Sequence, residues 1–365
     1  MIAGGGTGGH VVPAIAIAQA LAGRGHPAET IHFVGSSRGL EARMVPAAGF
    51  DLTLLPGRGI ARRLSWDNLG AALGLARAFA RALVLMRRRR PAVTVAVGGY
   101  ASAAAALAAV VWRVPLVVAE QNAVPGLANR LAGRFAVACA VSFDGTPLPR
   151  AVVTGNPVRP EIVTADISDE GRAAARAALG IPADAVVVAV AGGSLGARRI
   201  NTAVVELARR WSARDGICIY HVVGRRDFAE MTGLRPGAVA GGLDYRQVEF
   251  EDRMDLLLTA ADVTVQRAGA STVAELAAIG LASILVPLPG APGDHQTHNA
   301  RRLADAGAAV LVPDGELDAD RLGKELGRLV EDRADRQRMA DAARRLGRPD
   351  AAERVAALVE QHARG

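Results

Sequence analysis

The first stretch that could do chemistry is the glycine-rich segment Gly4-Gly5-Gly6-Thr7-Gly8-Gly9-His10. It lies between a short apolar start and an Ala/Ile-rich run whose first turn suits Pro13, so the order is strand, glycine turn, helix. Backbone N–H groups in such a turn approach a polar ligand closely at the positive end of a helix. His10, at the mouth of the loop, suits either a general base or a structural histidine.

The glycine pattern alone does not identify the ligand. Gly4, Gly6 and Gly9 match G-x-G-x-x-G, but a dinucleotide site also needs an acidic residue after the second strand. That strand ends in Phe33-Val34-Gly35-Ser36 without one. A Walker A loop requires Gly-Lys-Ser/Thr, whereas His10 follows Gly9. Neither NAD nor ATP is therefore indicated.

Polar residues also follow later apolar runs. Glu120-Gln121-Asn122 comes directly after a strand, which is typical of a ligand rim in a parallel sheet, although turn and capping chemistry before Pro125 also explains it. Gly98-Gly99-Tyr100 ends another strand. Gly193-Ser194 offers backbone donors and a hydroxyl at a helix start, which suits a diphosphate without a cation.

The densest polar region runs from Gln266 to Asn299. Thr272 and Glu275 have the spacing of a capping box with Thr272 as N-cap. Equally, Glu275 could accept hydrogen bonds from the two hydroxyls of a ribose. His295-Gln296 follows a Pro/Gly loop. Asp318-Ala319-Asp320 matches the D-x-D metal–nucleotide signature, but we interpret it as chance because it lies far from any glycine loop.

These segments must be positioned by elements that alternate along the chain, which predicts an α/β fold with doubly wound parallel sheets. Strands are expected near 1–3, 31–35, 51–55, 92–97, 115–119, 136–141, 151–154, 185–191, 217–223, 247–250, 263–266, 283–287 and 309–312. Helices are expected at 13–24, 38–48, 66–89, 102–112, 125–132 and 351–362, and between the later strands.

A Pro-containing pause at 155–160 predicts a linker between two domains. The expected domains are 1–157 with a C-terminal helix at about 346–365, and 158–345. Two such domains bind ligands at the carboxyl ends of their strands, in the cleft between them.

Charge is unevenly distributed along the chain. Residues 1–157 hold sixteen arginines against six acidic residues, whereas the remainder is slightly acidic and the whole carries +7. The basic half indicates an anionic partner: nucleic acid, an anionic membrane surface or a phosphorylated substrate. A basic zone interleaved with bulky apolar residues favours membrane-surface docking, and no nucleic-acid motif accompanies it, while a solvated face explains single arginines. The zone comprises Arg58, Arg62, Arg63, Arg77, Arg81, Arg87–Arg90, Trp66, Leu75, Phe79 and Trp112.

Two further features limit the class of protein. Cys139 and Cys218 lie in apolar surroundings, and we expect buried free thiols in a reducing cytoplasm. Residues 91–112 carry no charge over a length that could cross a bilayer. Gly98-Gly99-Tyr100 interrupts that stretch, so strand, turn and helix are expected instead of a membrane span.

Together the motifs resemble one family, the MurG family of bacterial N-acetylglucosaminyltransferases. The matching stretches occur in family order and span most of the chain. They are Gly5-Gly6-Thr7-Gly8-Gly9-His10, Gly98-Gly99-Tyr100, residues 120–129, Gly155-Asn156-Pro157-Val158-Arg159, Gly192-Gly193-Ser194 with Asn201, and Gly269-Ala270-Ser271-Thr272-Val273-Ala274-Glu275 through His295-Gln296 and Asn299.

The resemblance implies a GT-B fold, with two Rossmann-like domains facing across a cleft. It implies inverting transfer of GlcNAc from UDP-GlcNAc to the C4 hydroxyl of MurNAc in lipid I, giving lipid II for peptidoglycan. No metal or cofactor is expected. The enzyme would lie peripherally on the cytoplasmic face of the cell membrane, with an anionic membrane surface and cell-wall or division proteins as partners, and without nucleic acid.

The resemblance also assigns roles by position. His10 is implied as the base, with Tyr100 and Glu120 as further catalytic residues near the acceptor, which Thr7 and Gly99 also contact. Ser194 would take the diphosphate and Glu275 the ribose. The implied donor contacts are Thr7, Gly8, Gly9, Asn122, Arg159, Ser194, Ala270, Ser271, Thr272, Glu275 and Gln296, of which Asn122 and Gln296 would touch the GlcNAc.

Two rival functions share these features. One is a soluble UDP-sugar enzyme of the same fold, such as a UDP-GlcNAc 2-epimerase, which would not need the basic zone. The other is a non-catalytic, membrane-associated binder of nucleotide sugars.

Overall fold

The computed structural model describes residues 1–37, 39–56, 67–193 and 196–364, with the backbone alone for 67–73. The chain forms two compact units. The first comprises residues 1–159 and 348–365, and the second comprises residues 160–347. The boundaries expected from the sequence each lie two residues earlier.

The first unit is built on a seven-stranded parallel sheet of order β3-β2-β1-β4-β5-β6-β7. Its strands are β1 (Ile2–Gly4), β2 (His32–Ser36), β3 (Asp51–Leu55), β4 (Thr94–Gly98), β5 (Leu116–Glu120), β6 (Ala138–Val141) and β7 (Ala151–Val153). Its helices are α1 (Gly8–Gly23), α2 (Glu41–Ala47), α3 (Asp67–Arg89), α4 (Tyr100–Val111), α5 (Leu127–Gly133) and, after the second unit, α15 (Ala351–His362).

Helices cover both faces of this sheet. Helices α1, α2 and α15 pack on one face, and α3, α4 and α5 pack on the other. The central strands β4 and β5 are buried along their whole length, and six of their ten residues are Ala or Val, as expected for parallel strands without a solvent face.

The second unit has a six-stranded parallel sheet of order β10-β9-β8-β11-β12-β13. Its strands are β8 (Val186–Ala191), β9 (Ile217–Val222), β10 (Asp244–Val248), β11 (Val263–Gln266), β12 (Ala282–Leu285) and β13 (Ala309–Leu311). Its helices are α6 (Pro160–Val163), α7 (Asp169–Ala178), α8 (Arg198–Arg210), α9 (Phe228–Gly233), α10 (Met254–Ala260), α11 (Ala270–Ile279), α12 (His295–Ala304), α13 (Ala319–Glu331) and α14 (Arg333–Leu346).

The expected doubly wound sheets are confirmed, with two local corrections. Helix α1 begins at Gly8 because Thr7 has the extended backbone of an N-cap, so Pro13 lies inside the helix and not in its first turn. Strand β10 begins at Asp244, three residues before the expected start, because it pairs in parallel with β9 from Cys218 onward.

The uncharged stretch 91–112 forms β4, a turn and α4, as expected. In the described part of the chain, no helix combines the length and the apolar character that crossing a bilayer requires.

Each sheet has one point at which the order of its strands reverses. In the first unit this point lies between β1 and β4, and in the second between β8 and β11. Open α/β sheets bind ligands at such points, beyond the carboxyl ends of the strands. The glycine loops after β1, β4 and β8 and the start of α11 therefore all lie at predicted binding edges.

Candidate functional site

The first two glycine loops form one continuous surface at the β1/β4 edge. Gly5 N donates a hydrogen bond to Gly98 O at 3.3 Å. Gly99 has a φ of +89°, and a Cβ there would lie 2.5 Å from Gly5 O. Only glycine fits this position, so the absence of a side chain lets the two loops touch.

His10 lies in the first turn of α1 and faces the second loop. Its Nδ1 lies 3.2 Å from Gly5 O, and a Cβ on Gly98 would lie 2.9 Å from its Nε2. When Nδ1–H donates to the Gly5 carbonyl, the lone pair is on Nε2. This is the tautomer that a general base requires, and the ring is half-buried.

Glu41, which the sequence analysis missed, organises the first loop. Its carboxylate is 1% exposed; Oε2 accepts from Gly6 N at 2.8 Å, and Oε1 accepts from Ser36 N at 2.7 Å. A Cβ on Gly5, Gly35 or Gly39 would collide with this side chain. Part of the glycine pattern therefore makes room for a buried carboxylate.

Glu120 holds the loop that follows β5. It is 3% exposed, its Oε1 accepts from Asn122 N at 2.9 Å, and its Oε2 accepts from Gly126 N at 3.1 Å and Asn129 Nδ2 at 2.9 Å. The geometry gives Glu120 a positioning role, and its catalytic role stays a prediction. Asn129 Nδ2 would lie 3.6 Å from a Cβ on Gly98, so this loop borders the His10 surface.

The other predicted acceptor residues lie on the same edge. The Tyr100 hydroxyl donates to Pro56 O at 3.1 Å, and burial raises the pKa of this phenol. Tyr100 is therefore protonated at neutral pH and suits binding more than proton abstraction. Thr7 is exposed and its side chain makes no capping hydrogen bond, while Gly8 and Gly9 supply the first N–H groups of α1.

Three buried amide side chains at this edge have atoms that lack a hydrogen-bond partner in the described part of the chain. They are Gln121 Oε1, Asn129 Oδ1 and both amide atoms of Asn156. Native proteins rarely leave such atoms unsatisfied, so a ligand or ordered water is expected there. Arg159 lies three residues after Asn156 and is half-buried.

In the second unit, the third glycine loop follows β8. A Cβ on Gly192 would lie 2.5 Å from the Cβ of Ala197, so the loop folds tightly onto the start of α8. Ser194, the predicted diphosphate contact, lies outside the described residues.

Helix α11 begins beside this loop, at the end of β11. Gly269 is its N-cap, so Ala270, Ser271 and Thr272 form its first turn. The capping-box interpretation is wrong, because the helix starts two residues before Thr272 and has no side-chain cap. Ser271 and Glu275 lie one turn apart on one helix face. Glu275 is 8% exposed, and Ser271 Oγ is buried without a hydrogen-bond partner in the described structure.

Two amide side chains brace this region. Gln296 Oε1 accepts from Leu288 N at 2.9 Å, and the fully buried Asn299 donates through Nδ2 to Ala268 O at 3.3 Å. They fix the loop after β12 and the turn before α11. Contact of Gln296 with a sugar stays a prediction.

A chain of buried polar side chains lies beneath the third loop. Gln247 Nε2 donates to the Tyr245 hydroxyl at 2.8 Å, and that hydroxyl lies 2.9 Å from His221 Nδ1. His221 Nε2 lies 3.0 Å from Asn201 Oδ1, and Asn201 Nδ2 donates to Asp227 Oδ2 at 3.1 Å. If His221 carries its proton on Nε2, each group donates to the next along the chain. Gln247 donates to Tyr245, Tyr245 to His221 Nδ1, His221 Nε2 to Asn201, and Asn201 to Asp227.

This chain fixes the end of the glycine loop. A Cβ on Gly196 would lie 3.4 Å from both Asn201 Nδ2 and Asp227 Oδ2. Burial lowers the pKa of His221 to about 3, so the ring is neutral at physiological pH. The hydrogen bond from Arg226 lowers the pKa of Asp227, which stays ionised. The polar Tyr-His pair in β9, an otherwise apolar strand, was the available sequence signal.

The D-x-D residues have structural roles. Asp318 caps α13 by accepting from Arg321 N at 2.8 Å, and Asp320 pairs with Arg210 at 2.5 Å. Among the described residues, no cluster of three or more His, Cys, Asp or Glu side chains is arranged to hold a metal ion.

The basic zone is described in part. Arg58, Arg62, Arg63 and Trp66 lie outside the described residues. Arg77 and Arg81 are exposed on α3, whereas Leu75 and Phe79, expected in the docking surface, are partly buried against the core.

The structure adds apolar stripes of which the sequence analysis named only Trp112. Helices α4 and α5 pack together and expose large apolar side chains, with Leu127 reaching 69% exposure. We call this set the apolar stripes: Leu107, Val111, Trp112, Leu127, Leu131 and Phe135. Arg113, Arg130 and Arg134 are exposed on the same helices or at their ends. Apolar side chains surrounded by cations are typical of a membrane-facing surface.

Comparisons with known proteins agree with this architecture. The glycosyltransferase family 28 N-terminal domain matches residues 1–141, and the family 28 C-terminal domain matches residues 187–355. A relative from Acidothermus cellulolyticus is 44% identical and covers 100% of this chain and 97% of that protein; one from Desulforudis audaxviator is 41% identical over 99% and 97%. Both are named UDP-N-acetylglucosamine--N-acetylmuramyl-(pentapeptide) pyrophosphoryl-undecaprenol N-acetylglucosamine transferase.

Solved structures give the same picture. Acinetobacter baumannii MurG superposes with a TM-score of 0.78 at 28% identity, covering 99% of both chains. The UDP-GlcNAc 2-epimerase of Neisseria meningitidis, bound to UDP-GlcNAc, has a TM-score of 0.67 at 12% identity, covering 99% of this chain and 98% of that one. The second likeness shows the fold alone.

Proposed function

The chain belongs to glycosyltransferase family 28, among the MurG-type enzymes, and on that premise we propose how its residues carry out the transfer. It has the GT-B fold and is a hexosyltransferase that moves GlcNAc from UDP-GlcNAc to lipid I, the undecaprenyl-diphosphate MurNAc-pentapeptide, giving lipid II. The epimerase alternative is not favoured, because the epimerase likeness is limited to the fold.

The observation that carries the proposal is the joined glycine loops at the β1/β4 edge, with His10 against Gly98. The loops face the diphosphate of the acceptor, and Thr7, Gly99, Tyr100 and Glu120 border or position it. His10 Nε2 takes the proton of the MurNAc C4 hydroxyl. The freed oxygen attacks C1 of GlcNAc, the bond from C1 to the UDP oxygen breaks, and the configuration at C1 inverts.

The second unit holds the donor. The first turn of α11 and the start of α8 supply N–H groups and helix-dipole charge to the departing UDP, with the Ser194 hydroxyl on the diphosphate. The Glu275 carboxylate accepts hydrogen bonds from the two ribose hydroxyls. Arg159, Ala270, Ser271 and Thr272 flank the nucleotide, while Asn122, Gln296 and the Thr7-Gly8-Gly9 loop approach the sugar and its leaving group. The mechanism uses no metal.

We infer that the acceptor-binding unit docks on an anionic membrane from the cytoplasmic side, through the apolar stripes and the arginines around them. Apolar side chains enter the headgroup boundary, and the arginines on α3 and α5, together with Arg113 after the end of α4, attract anionic lipids. This arrangement brings the first unit to a substrate that is anchored in the bilayer by its lipid.

The test is transfer of labelled GlcNAc from UDP-GlcNAc to a short-chain lipid I analogue by the full chain, with and without a metal chelator. We expect lipid II analogue and UDP in equal amounts in both samples. Conversion of UDP-GlcNAc to UDP-ManNAc without acceptor would support the epimerase instead. Binding of UDP-GlcNAc without any transfer would support the non-catalytic binder.

A further inference from the structure

A second concave site lies in the second unit, away from its glycine loop. A groove of about 620 Å³ runs between α7 and α14 and reaches Val186, Asp262 and Leu281, which lie at the beginnings of β8, β11 and β12. The strands are parallel, so this is the edge of the sheet opposite to the loop of Gly192 and the start of α11. The volume is typical of a site for a small metabolite.

Arginines dominate the charge of this groove. Five arginines line it against three aspartates, Asp169, Asp184 and Asp262. The arginines are Arg172, Arg176, Arg333, Arg336 and Arg344. Asp262 is paired with Arg176: its Oδ2 accepts hydrogen bonds from Arg176 Nη2 at 2.8 Å and from Val187 N at 2.7 Å. Arg344 pairs with Asp341 beside the groove, which leaves Arg172, Arg333 and Arg336 against Asp169 and Asp184.

Two of these guanidinium groups are held by carbonyl oxygens. Arg172 Nη1 donates to Ala261 O at 2.8 Å, and Arg336 Nη1 donates to Leu329 O at 2.6 Å and Val330 O at 2.8 Å. In the described part of the chain, their hydrogen bonds run through Nη1, and no carboxylate lies within ion-pair distance of either group. A guanidinium carries five N–H donors in a rigid fork, so each group retains donors that a ligand can use.

The surroundings destabilise the positive charge of both groups. Burial is the main cause of the lowered pKa of Arg172; Asp262 opposes it, and the nearby cations Arg176 and Arg344 add to it. Burial likewise lowers the pKa of Arg336, with Asp262 opposing and Arg333 adding. An anion in the groove would offset both the desolvation and the repulsion between these cations.

We propose that this groove is a ligand site separate from the donor and acceptor loops, and that it binds a phosphate-bearing anion. Planar guanidinium forks match phosphate oxygens in pairs, which favours phosphate over a monovalent ion. The site also touches the donor-binding helix. The stem of Arg344 covers Gly280, the C-cap of α11, whose first turn carries Ser271 and Thr272.

The experiment is calorimetric titration of the full chain with inorganic pyrophosphate, in low salt and with saturating UDP-GlcNAc to fill the donor site. We expect pyrophosphate binding that added salt weakens, and the groove accounts for the part of this binding that the groove variants lose. Arg336→Gln and Arg333→Gln should each lower the affinity about tenfold, since each removes one charge-assisted contact. Arg333 is exposed, so its variant tests the site even if Arg336→Gln fails to fold.

The matched control is Arg345→Gln, an exposed arginine on the same helix that does not line the groove. A second probe, phosphatidylglycerol vesicles, separates a soluble phosphate from a lipid headgroup. Loss of vesicle binding in both groove variants, without pyrophosphate binding, would assign the site to a headgroup. The proposal is overturned if the groove variants bind both probes as tightly as the wild-type protein does. It is also overturned if Arg345→Gln lowers the affinity as much as the groove variants do.

Discussion

Glu41 Oε2 accepts a hydrogen bond from Gly6 N at 2.8 Å, so a buried carboxylate in α2 fixes the backbone of the first glycine loop. The same side chain fills the space that Gly5, Gly35 and Gly39 leave open. The loop that we propose faces the acceptor is therefore pre-organised by a residue outside it. Glu41 needs no contact with substrate to affect the reaction.

Glu41→Gln should impair use of the acceptor and spare the donor. The amide keeps the shape of the side chain but turns an N–H₂ group toward Gly6 N or Ser36 N, so one buried donor loses its acceptor. We expect kcat/KM for the lipid I analogue to fall about tenfold, corresponding to about 1–2 kcal/mol. The dissociation constant of UDP-GlcNAc should change much less, because most of the proposed donor contacts lie in the second unit. Exposed Glu29→Gln is the control, and an equal loss of donor affinity would contradict the assignment.

His10→Ala should abolish most turnover and leave donor binding intact. Removal of a general base costs about 10²–10⁴-fold in kcat. The measurement is kcat on the lipid I analogue, alongside titration with UDP-GlcNAc. His26→Ala, which removes the contact with Glu360 at the other edge of the sheet, serves as control. Turnover that survives in His10→Ala would show that another group takes the proton.

Glu275→Ala should weaken binding of the donor UDP-GlcNAc. Loss of charge-assisted hydrogen bonds to two ribose hydroxyls raises the KM for UDP-GlcNAc by about 10–100-fold. kcat at saturating donor should change much less, because the ribose lies far from the reacting carbon. Glu316→Ala, an exposed acidic residue of the same unit, is the control. An unchanged KM would remove Glu275 from the donor site.

The double variant Leu131→Glu with Phe135→Glu should lower binding to phosphatidylglycerol vesicles about tenfold or more, since it places two charges in an apolar stripe.

The double variant Arg77→Glu with Arg81→Glu should also lower vesicle binding. Its effect should shrink as salt is added, because salt screens the attraction between arginines and anionic lipids. Turnover on a water-soluble acceptor should persist in both. Leu234→Glu changes an exposed leucine of the second unit and controls for charge alone. Unchanged cosedimentation would argue against docking through this face.

His221 should make the second unit sensitive to acid. The pKa of His221 is about 3 in the folded chain, whereas an ordinary histidine has a pKa of 6.5. Below pH 6.5 this side chain therefore binds a proton in the unfolded state but stays neutral in the folded state. Stability is therefore complete above pH 6.5 and falls as the pH drops toward 3, by up to about 1.4 kcal/mol per pH unit. In denaturant unfolding, His221→Gln should show a shallower decline between pH 6.5 and 5 than wild type. His298→Gln, which changes an exposed histidine, should keep the wild-type slope.

The sequence predicted the elements well because their signals are local. Apolar runs bounded by glycine and proline located the strands of both sheets, and their alternation with helices implied the parallel order. Candidate residues followed from the same logic, since loops after parallel strands meet at one edge.

The sequence did not reveal the residues whose roles depend on distant partners. Glu41 occupies an ordinary helical segment, and its role appears only when Gly6, thirty-five positions earlier, contacts it. Likewise, Thr272 fits a capping box by spacing, but β11 ends at Gln266 and leaves Gly269 to cap the helix. The partners of His221 come from α8 and β10, so no single stretch contains that network.

Because helix α15 follows the second unit in the chain, the first unit is completed later than the second during synthesis. Its buried residues Val355, Ala356 and Val359 complete the core beneath α1, yet the whole second unit is translated before they appear. A nascent chain therefore contains the entire second unit while the unit that holds His10 still has an uncovered apolar face. The part translated first is the last to mature, and until α15 emerges its open face is exposed to aggregation or to chaperones.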